Sequence, residues 1–142
     1  FINHGSMWSN NQNDLGYRTA SEFTKLYYES MDRKRHLMSR YYMDNAALVW
    51  NGNGRNGADE IQKFLASLPI STHLLTSQDV QRIPDGAVGN KMAYVIQTAG
   101  NVKFQGRPSK QMFYQTFAIT NEGDKWKIVS DCFRFQEHVA TT

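Results

Sequence analysis

Apolar residues return at three- and four-residue steps between Asp14 and Met31, with Ala20, Phe23, Tyr27 and Met31 along one stripe, which is the period of an amphipathic helix. Asp32 is placed to cap a second, shorter helix in which Leu37, Met38, Tyr41 and Tyr42 share a side. The period then changes. Ala47 to Trp50 is a short apolar strand, and Asn51-Gly52-Asn53-Gly54 tolerates positive φ, so a tight hairpin is expected there. Ile61, Phe64, Leu65 and Leu68 form a third helical stripe, from Glu60 to Leu68, that Pro69 closes. Beyond it Thr72 to Ile83, Lys91 to Phe104, Met112 to Thr120 and Lys125 to Gln136 read as strands. Pro84-Asp85-Gly86, Gly106-Arg107-Pro108 and Asn121-Glu122-Gly123-Asp124 supply the turns between them. Helices ahead of a long antiparallel sheet make the fold class α+β, with the helices on one sheet face.

Strand alternation assigns the two faces of that sheet. In the last strand Val129, Asp131, Phe133 and Phe135 share one side, and Ser130, Cys132, Arg134 and Gln136 the other. In the strand before it, Phe113, Gln115, Phe117 and Ile119 alternate with Met112, Tyr114, Thr116 and Ala118. The first set of each strand is core-like, and its aromatic members Phe117, Phe133 and Phe135, with Trp50, are candidates to line a pocket. The second sets form a moderately apolar surface with no helix left in the chain to cover it, the mark of a protein interface. Asp79, Gln97, Tyr114, Thr116, Ser130, Cys132 and Arg134 are placed on that face. A lone Arg134 is compatible with a partner surface and costly in an interior.

Composition narrows the classes further. The chain has 142 residues, 40% hydrophobic and 13% aromatic, enough for one domain with a real core and no need of disulfides. Residues 8–142 are taken as that domain, and 1–7 as a vector-derived remnant, because Gly5-Ser6-Met7 resembles a cloning scar. A formal charge of +3 and a pI near 9.0 are too weak for a nucleic-acid binder by charge alone. The run Arg33-Lys34-Arg35-His36, with Arg40, is read as a solvated helix flank, direct RNA contact being the alternative. Cys132 is the single cysteine, so a reducing compartment is expected and an internal disulfide is excluded. It is read as a small hydrophobe, not a nucleophile. The four histidines are scattered, which gives no metal site. No cofactor is expected. No apolar run approaches the ~20 residues of a membrane span, and no signal peptide is apparent.

Leu48-Val49-Trp50, Gly57, Ser67-Leu68-Pro69, Ser77-Gln78-Asp79-Val80-Gln81, Phe113-Tyr114-Gln115-Thr116-Phe117 and Asp131-Cys132-Phe133-Arg134 resemble, in order and spacing, the nuclear transport factor 2-like superfamily. The resemblance runs from about Asp14 to His138. Trp50-Asn51-Gly52-Asn53, Val102-Lys103-Phe104 and Ser130 to Gln136 are similar to the mRNA export cofactors within it. It implies a cone-shaped domain with three N-terminal helices on a strongly bent antiparallel sheet. It also implies a non-catalytic small subunit that pairs through its sheet with the related domain of the large mRNA export receptor, TAP. Such a subunit supports contact with nucleoporins and shuttles between nucleus and cytoplasm. Asp79 and Arg134 match interface positions of those cofactors, and the alternative is that they pair with each other within the chain.

Two other functions stay open. A homodimeric carrier of Ran-GDP is disfavoured, because Asn51 replaces an acid after Trp50 and the loop Lys103-Phe104-Gln105-Gly106-Arg107 is basic where the carrier is acidic. Small isomerases and dehydratases share the cone, with Asp131, Tyr28, Tyr42 and His73 as candidate proton-transfer groups. The spacing alone places no two of these together. Asp131, if buried, needs donors, and backbone N–H groups of a nearby turn are the expected ones.

Overall fold

In the computed structural model, which describes residues 5–83 and 92–136 and side chains from residue 15 onward, the first apolar stripe is one long helix, α1 (Gly5–Arg33). Ala20, Phe23, Tyr27 and Met31 are all buried along it, as expected for one side of a helix laid on a sheet. α1 starts within the segment 1–7 set aside above, of which 1–4 lie outside the described residues.

Asp32 does not cap a second helix. Its carboxylate accepts the Ser71 hydroxyl at 2.7 Å and the His73 backbone N–H at 2.8 Å, and lies 2.6 Å from His73 Nδ1. Donors at the edge of a strand outcompete the start of a short helix for this side chain. The chain continues instead as a 3-10 helix, Arg35–Tyr41, without a side-chain cap, and Tyr42 already belongs to the first strand.

Arg35 is not on a solvated flank either. Its Nε donates to the Met31 carbonyl at 2.6 Å, Nη1 to those of Leu65 at 2.7 Å and Leu68 at 3.0 Å, and Nη2 to that of Pro69 at 2.8 Å. Helix C-termini leave carbonyls without intrahelical partners, and this one guanidinium gathers those ending α1 and α2 (Ala58–Ser67). Arg35→Met is therefore expected to lower unfolding free energy by about 2–3 kcal/mol in urea titration, whereas the exposed neighbour Arg33→Met shifts it by under about 0.5 kcal/mol. Equal effects would remove Arg35 from this role. α2 buries Ile61 and Leu65. Gln62 ties α2 to the 3-10 helix, accepting the Ser39 N–H at 2.6 Å and donating to the Arg35 carbonyl at 2.9 Å.

The strands are β1 (Tyr42–Trp50), β2 (Asn53–Asn56), β3 (Ser71–Arg82), β4 (Ala93–Phe104), β5 (Gln111–Glu122) and β6 (Lys125–Phe135). They form one six-stranded sheet in the order β2-β1-β6-β5-β4-β3. The sheet is mixed where an antiparallel one was expected, because β1 runs parallel to β6. The β1–β2 hairpin turns through Asn51 (φ 48) and Gly52 (φ 90), the conformations that its sequence favours. The turn Pro84-Asp85-Gly86 and the strand start at Lys91 lie outside the described residues.

Two irregularities bend the sheet. In β6, Ile128 pairs with Ile119 and Ser130 with Ala118, so Val129 is an extra, bulged residue. Ile128 and not Val129 enters the core, since a bulge resets strand alternation. In β3 the register shifts between Leu75 and Ser77, opposite Gly100. Here the backbones approach so closely that a Cβ on Gly100 would lie 2.2 Å from the Leu74 carbonyl oxygen. Both α-helices pack on the concave face, over Phe113, Phe117, Ile119 and Phe133, leaving the opposite face of the sheet open among the described residues.

Candidate functional site

Strand register assembles the outer face row by row. Val49, Cys132, Thr116, Gln97 and Asp79 align across β1, β6, β5, β4 and β3. Arg134, Tyr114, Ala99 and Ser77 form the next row, and Ala47, Ser130, Ala118, Val95 and Gln81 the row on the other side. All seven residues assigned to this face from the sequence are thus neighbours on it. Tyr114 is 50% exposed, Met112 53% and Leu74 61%, so one end of the face is apolar and wet. Its middle is built from small side chains, Ala99, Thr116, Ala118, Ser130 and Cys132, which let a second sheet approach to about 10 Å.

Asp79 and Arg134 stand on strands separated by β4 and β5, roughly 15 Å apart from strand spacing. They are too distant to pair, so the internal ion pair weighed from the sequence does not form. The stretch between them carries Gln97, Thr116, Tyr114 and Cys132 and no charge. An acid and a guanidinium at opposite sides of a neutral field are an arrangement able to set the register of a complementary surface.

The concave side holds a buried polar chain. Asp131 is 3% exposed; its Oδ2 accepts the Tyr42 hydroxyl at 2.7 Å and its Oδ1 the Gln115 amide at 2.9 Å, while the Tyr27 hydroxyl stands 3.5 Å from Oδ2 and 2.8 Å from the Tyr42 oxygen. Gln115 Oε1 in turn accepts the Tyr28 hydroxyl at 2.6 Å, and Tyr28 meets Thr98 at 2.8 Å. The donors to Asp131 are therefore side chains, and not the backbone of a turn as expected. The fold also joins Asp131 to Tyr42, which spacing did not. His73 sits elsewhere, paired with Asp32, its ring 5.0 Å from that of Tyr28.

Burial pushes the Asp131 carboxyl up to about 6, against the pull of its hydrogen bonds from Tyr42, Gln115 and Tyr27. Burial likewise raises the Tyr27 and Tyr42 hydroxyls well above the ordinary tyrosine value. A carboxyl of that kind has proton-transfer chemistry within reach, but here it is walled in by Tyr27, Tyr42, Phe117 and Phe133, each at most 1% exposed. Its consequence is for stability. A folded value of about 6 against an unfolded one near 3.8 favours the folded protonated form, so the contribution of Asp131 to stability is full below pH 3.8 and declines to a lower plateau above pH 6. The difference is about 3 kcal/mol. Urea unfolding of the parent relative to Asp131→Asn is expected to show this decline between pH 4 and 6. A difference that is flat with pH would contradict it.

Trp50 and Phe135 do line a cleft, of about 270 Å³, with Leu68, Phe104 and Arg107 at the mouth of the cone. Phe117 and Phe133 do not. Phe133 lies beneath Trp50, the rings parallel and 3.8 Å apart, and Phe117 packs 4.8 Å from Tyr27 in the core. Large flat rings at the centre of a sheet are consumed by core packing before a cavity can form. Tyr27, Gln115 and Arg35 were missed as polar organisers. Gln115 had a signal: like Asp131 it is the one polar member of an apolar inner set, and two such residues on adjacent strands find each other.

A family model described as the nuclear transport factor 2 (NTF2) domain matches residues 19–135, from the second half of α1 through the whole described sheet. The chain belongs to the NTF2 domain family. Among NTF2 relatives, it is 40% identical over 129 residues to NTF2-related export protein 2 of Homo sapiens, covering 87% of this chain and 89% of that one. NTF2 of Cryptosporidium parvum has the same fold, with a TM-score of 0.76 at 20% identity over 87% of this chain and 97% of that chain. So has a chain in the Candida albicans Mtr2–Mex67 M domain complex, with a TM-score of 0.69 at 17% identity over 89% of this chain and 99% of the other.

Proposed function

We propose that this protein is the non-catalytic small subunit of a large mRNA export receptor of the TAP family, pairing through its outer sheet face with the receptor's own NTF2-like domain. In that role it stabilises the receptor domain, supports its contact with nucleoporins, and shuttles between nucleus and cytoplasm. The observation that carries the reading is the open face with a flat middle, an apolar end and opposite charges at its sides. The relative named an export protein shares 40% identity across nearly the whole length, which favours export over other NTF2-fold roles. The packed interior around Asp131 leaves no room for substrate there, which favours a binding role over dehydratase or isomerase chemistry. Arg107 at the mouth of the cone places a cation where a Ran carrier would meet basic groups with acids. Asp79, Gln97, Tyr114, Thr116, Ser130, Cys132 and Arg134 form the contact. Co-expression with the NTF2-like domain of the receptor tests the reading: a stable one-to-one complex is expected, and failure to co-purify in any salt would refute it.

A further inference from the structure

A second groove lies on the helical side of the molecule, away from the outer sheet face. Thr19, Glu22, Phe23 and Leu26 follow one another on α1 at helical steps and form one wall; Tyr41 and Trp126 form the other, around about 520 Å³. Its floor is aromatic. Phe23 meets Tyr41 edge to face at 6.0 Å, and Trp126 rests 5.4 Å from Tyr94. Its lip is an unused apolar side chain, since Leu26 is 54% exposed although its neighbour Tyr27 is fully packed. Among the described residues that line the groove two are cations, Arg40 and Lys125, and one is an acid, Glu22; Glu122, the cross-strand neighbour of Lys125, is itself paired with Lys127 at 3.4 Å. Arg40 lies 5.8 Å above the ring of its own neighbour Tyr41, and no ion pair holds it among the described residues.

An aromatic floor with a leucine lip accepts one or two apolar side chains, and the flanking cations favour carboxylates beside them. We propose that this groove docks a short acidic peptide segment with apolar anchors, presented by another protein. Glu22 works against a polyphosphate backbone, so a nucleic acid is the less favoured occupant. Because the groove and the outer sheet face lie on different sides, both are open to partners at the same time.

Fluorescence anisotropy with the full chain tests this. The probe is a labelled ten-residue peptide carrying phenylalanine and leucine three residues apart in a frame of aspartate and glutamate. A matched peptide in an asparagine and glutamine frame, and labelled oligouridylate, are run beside it. The acidic peptide is expected to bind, to weaken as salt rises, and to lose at least about tenfold in affinity, which is 1.4 kcal/mol, in Arg40→Glu/Lys125→Glu. Leu26→Asp should lose it by a similar factor, with melting curves of all variants matching the parent. Arg134→Glu should leave it unchanged, which separates this site from the sheet face. No binding of the acidic peptide, equal binding of the neutral one, binding indifferent to Leu26, Arg40 and Lys125, or tighter binding of oligouridylate at the same residues would each overturn the proposal.

Discussion

Arg134→Glu is expected to abolish co-purification with the receptor's NTF2-like domain while leaving the isolated chain folded. Arg134 is exposed on β6 with Tyr114 as its cross-strand neighbour, so nothing in the subunit's own core depends on its charge. In a complex sealed by two sheets the same position loses water. A reversed charge there is expected to be buried without the counter-charge that suited a guanidinium, at a cost of about 2–5 kcal/mol, a loss of at least about thirtyfold in affinity. Asp79→Lys should act in the same direction from the far side of the face. Isothermal titration reads both, and parental affinity in Arg134→Glu would show that the guanidinium lies outside the contact.

The second large effect is on the bend that shapes this face. Adding one methyl group in Gly100→Ala is expected to destabilise the chain by at least about 3 kcal/mol, a drop in melting temperature on the order of 10 °C. The new Cβ would meet the Leu74 carbonyl oxygen at 2.2 Å and the Leu75 Cα at 2.9 Å. Both are backbone atoms, so no rotamer change relieves the clash and β3 must pull away from β4. Gly54→Ala is the control: its Cβ meets nothing nearer than 4.0 Å, and a change under about 1 kcal/mol is expected. Parental melting of Gly100→Ala would mean that the sheet tolerates a straighter course than the one described.

Local periodicity made much of this fold legible. The stripe Ala20, Phe23, Tyr27 and Met31 became the buried side of α1, and the alternation in β5 and β6 put Tyr114, Thr116, Cys132 and Arg134 on one face. It failed where the backbone departs from its period. The bulge at Val129 shifted Ile128 into the core, and no side-chain pattern announces a bulge in a run as uniform as Ile128-Val129. It failed also where the partner is distant in sequence. Asp32 reads as a cap until β3 is brought against α1, and Arg35 reads as solvated until the ends of α1 and α2 meet over it. The Asp131 cluster is the same case, its acid, amide and phenols coming from α1, β1, β5 and β6. Apolar content identified aromatics but not their use: Trp50 and Phe135 line the cleft, while Phe117 and Phe133 are packed in the core.

Native mass spectrometry of the purified chain, alone and mixed with an equal amount of the receptor's NTF2-like domain, reaches the central claim most directly. A mixed dimer that takes up both chains and is lost in Arg134→Glu is the result expected from the open sheet face. A homodimer of this chain that persists unchanged in the presence of the receptor domain would contradict it.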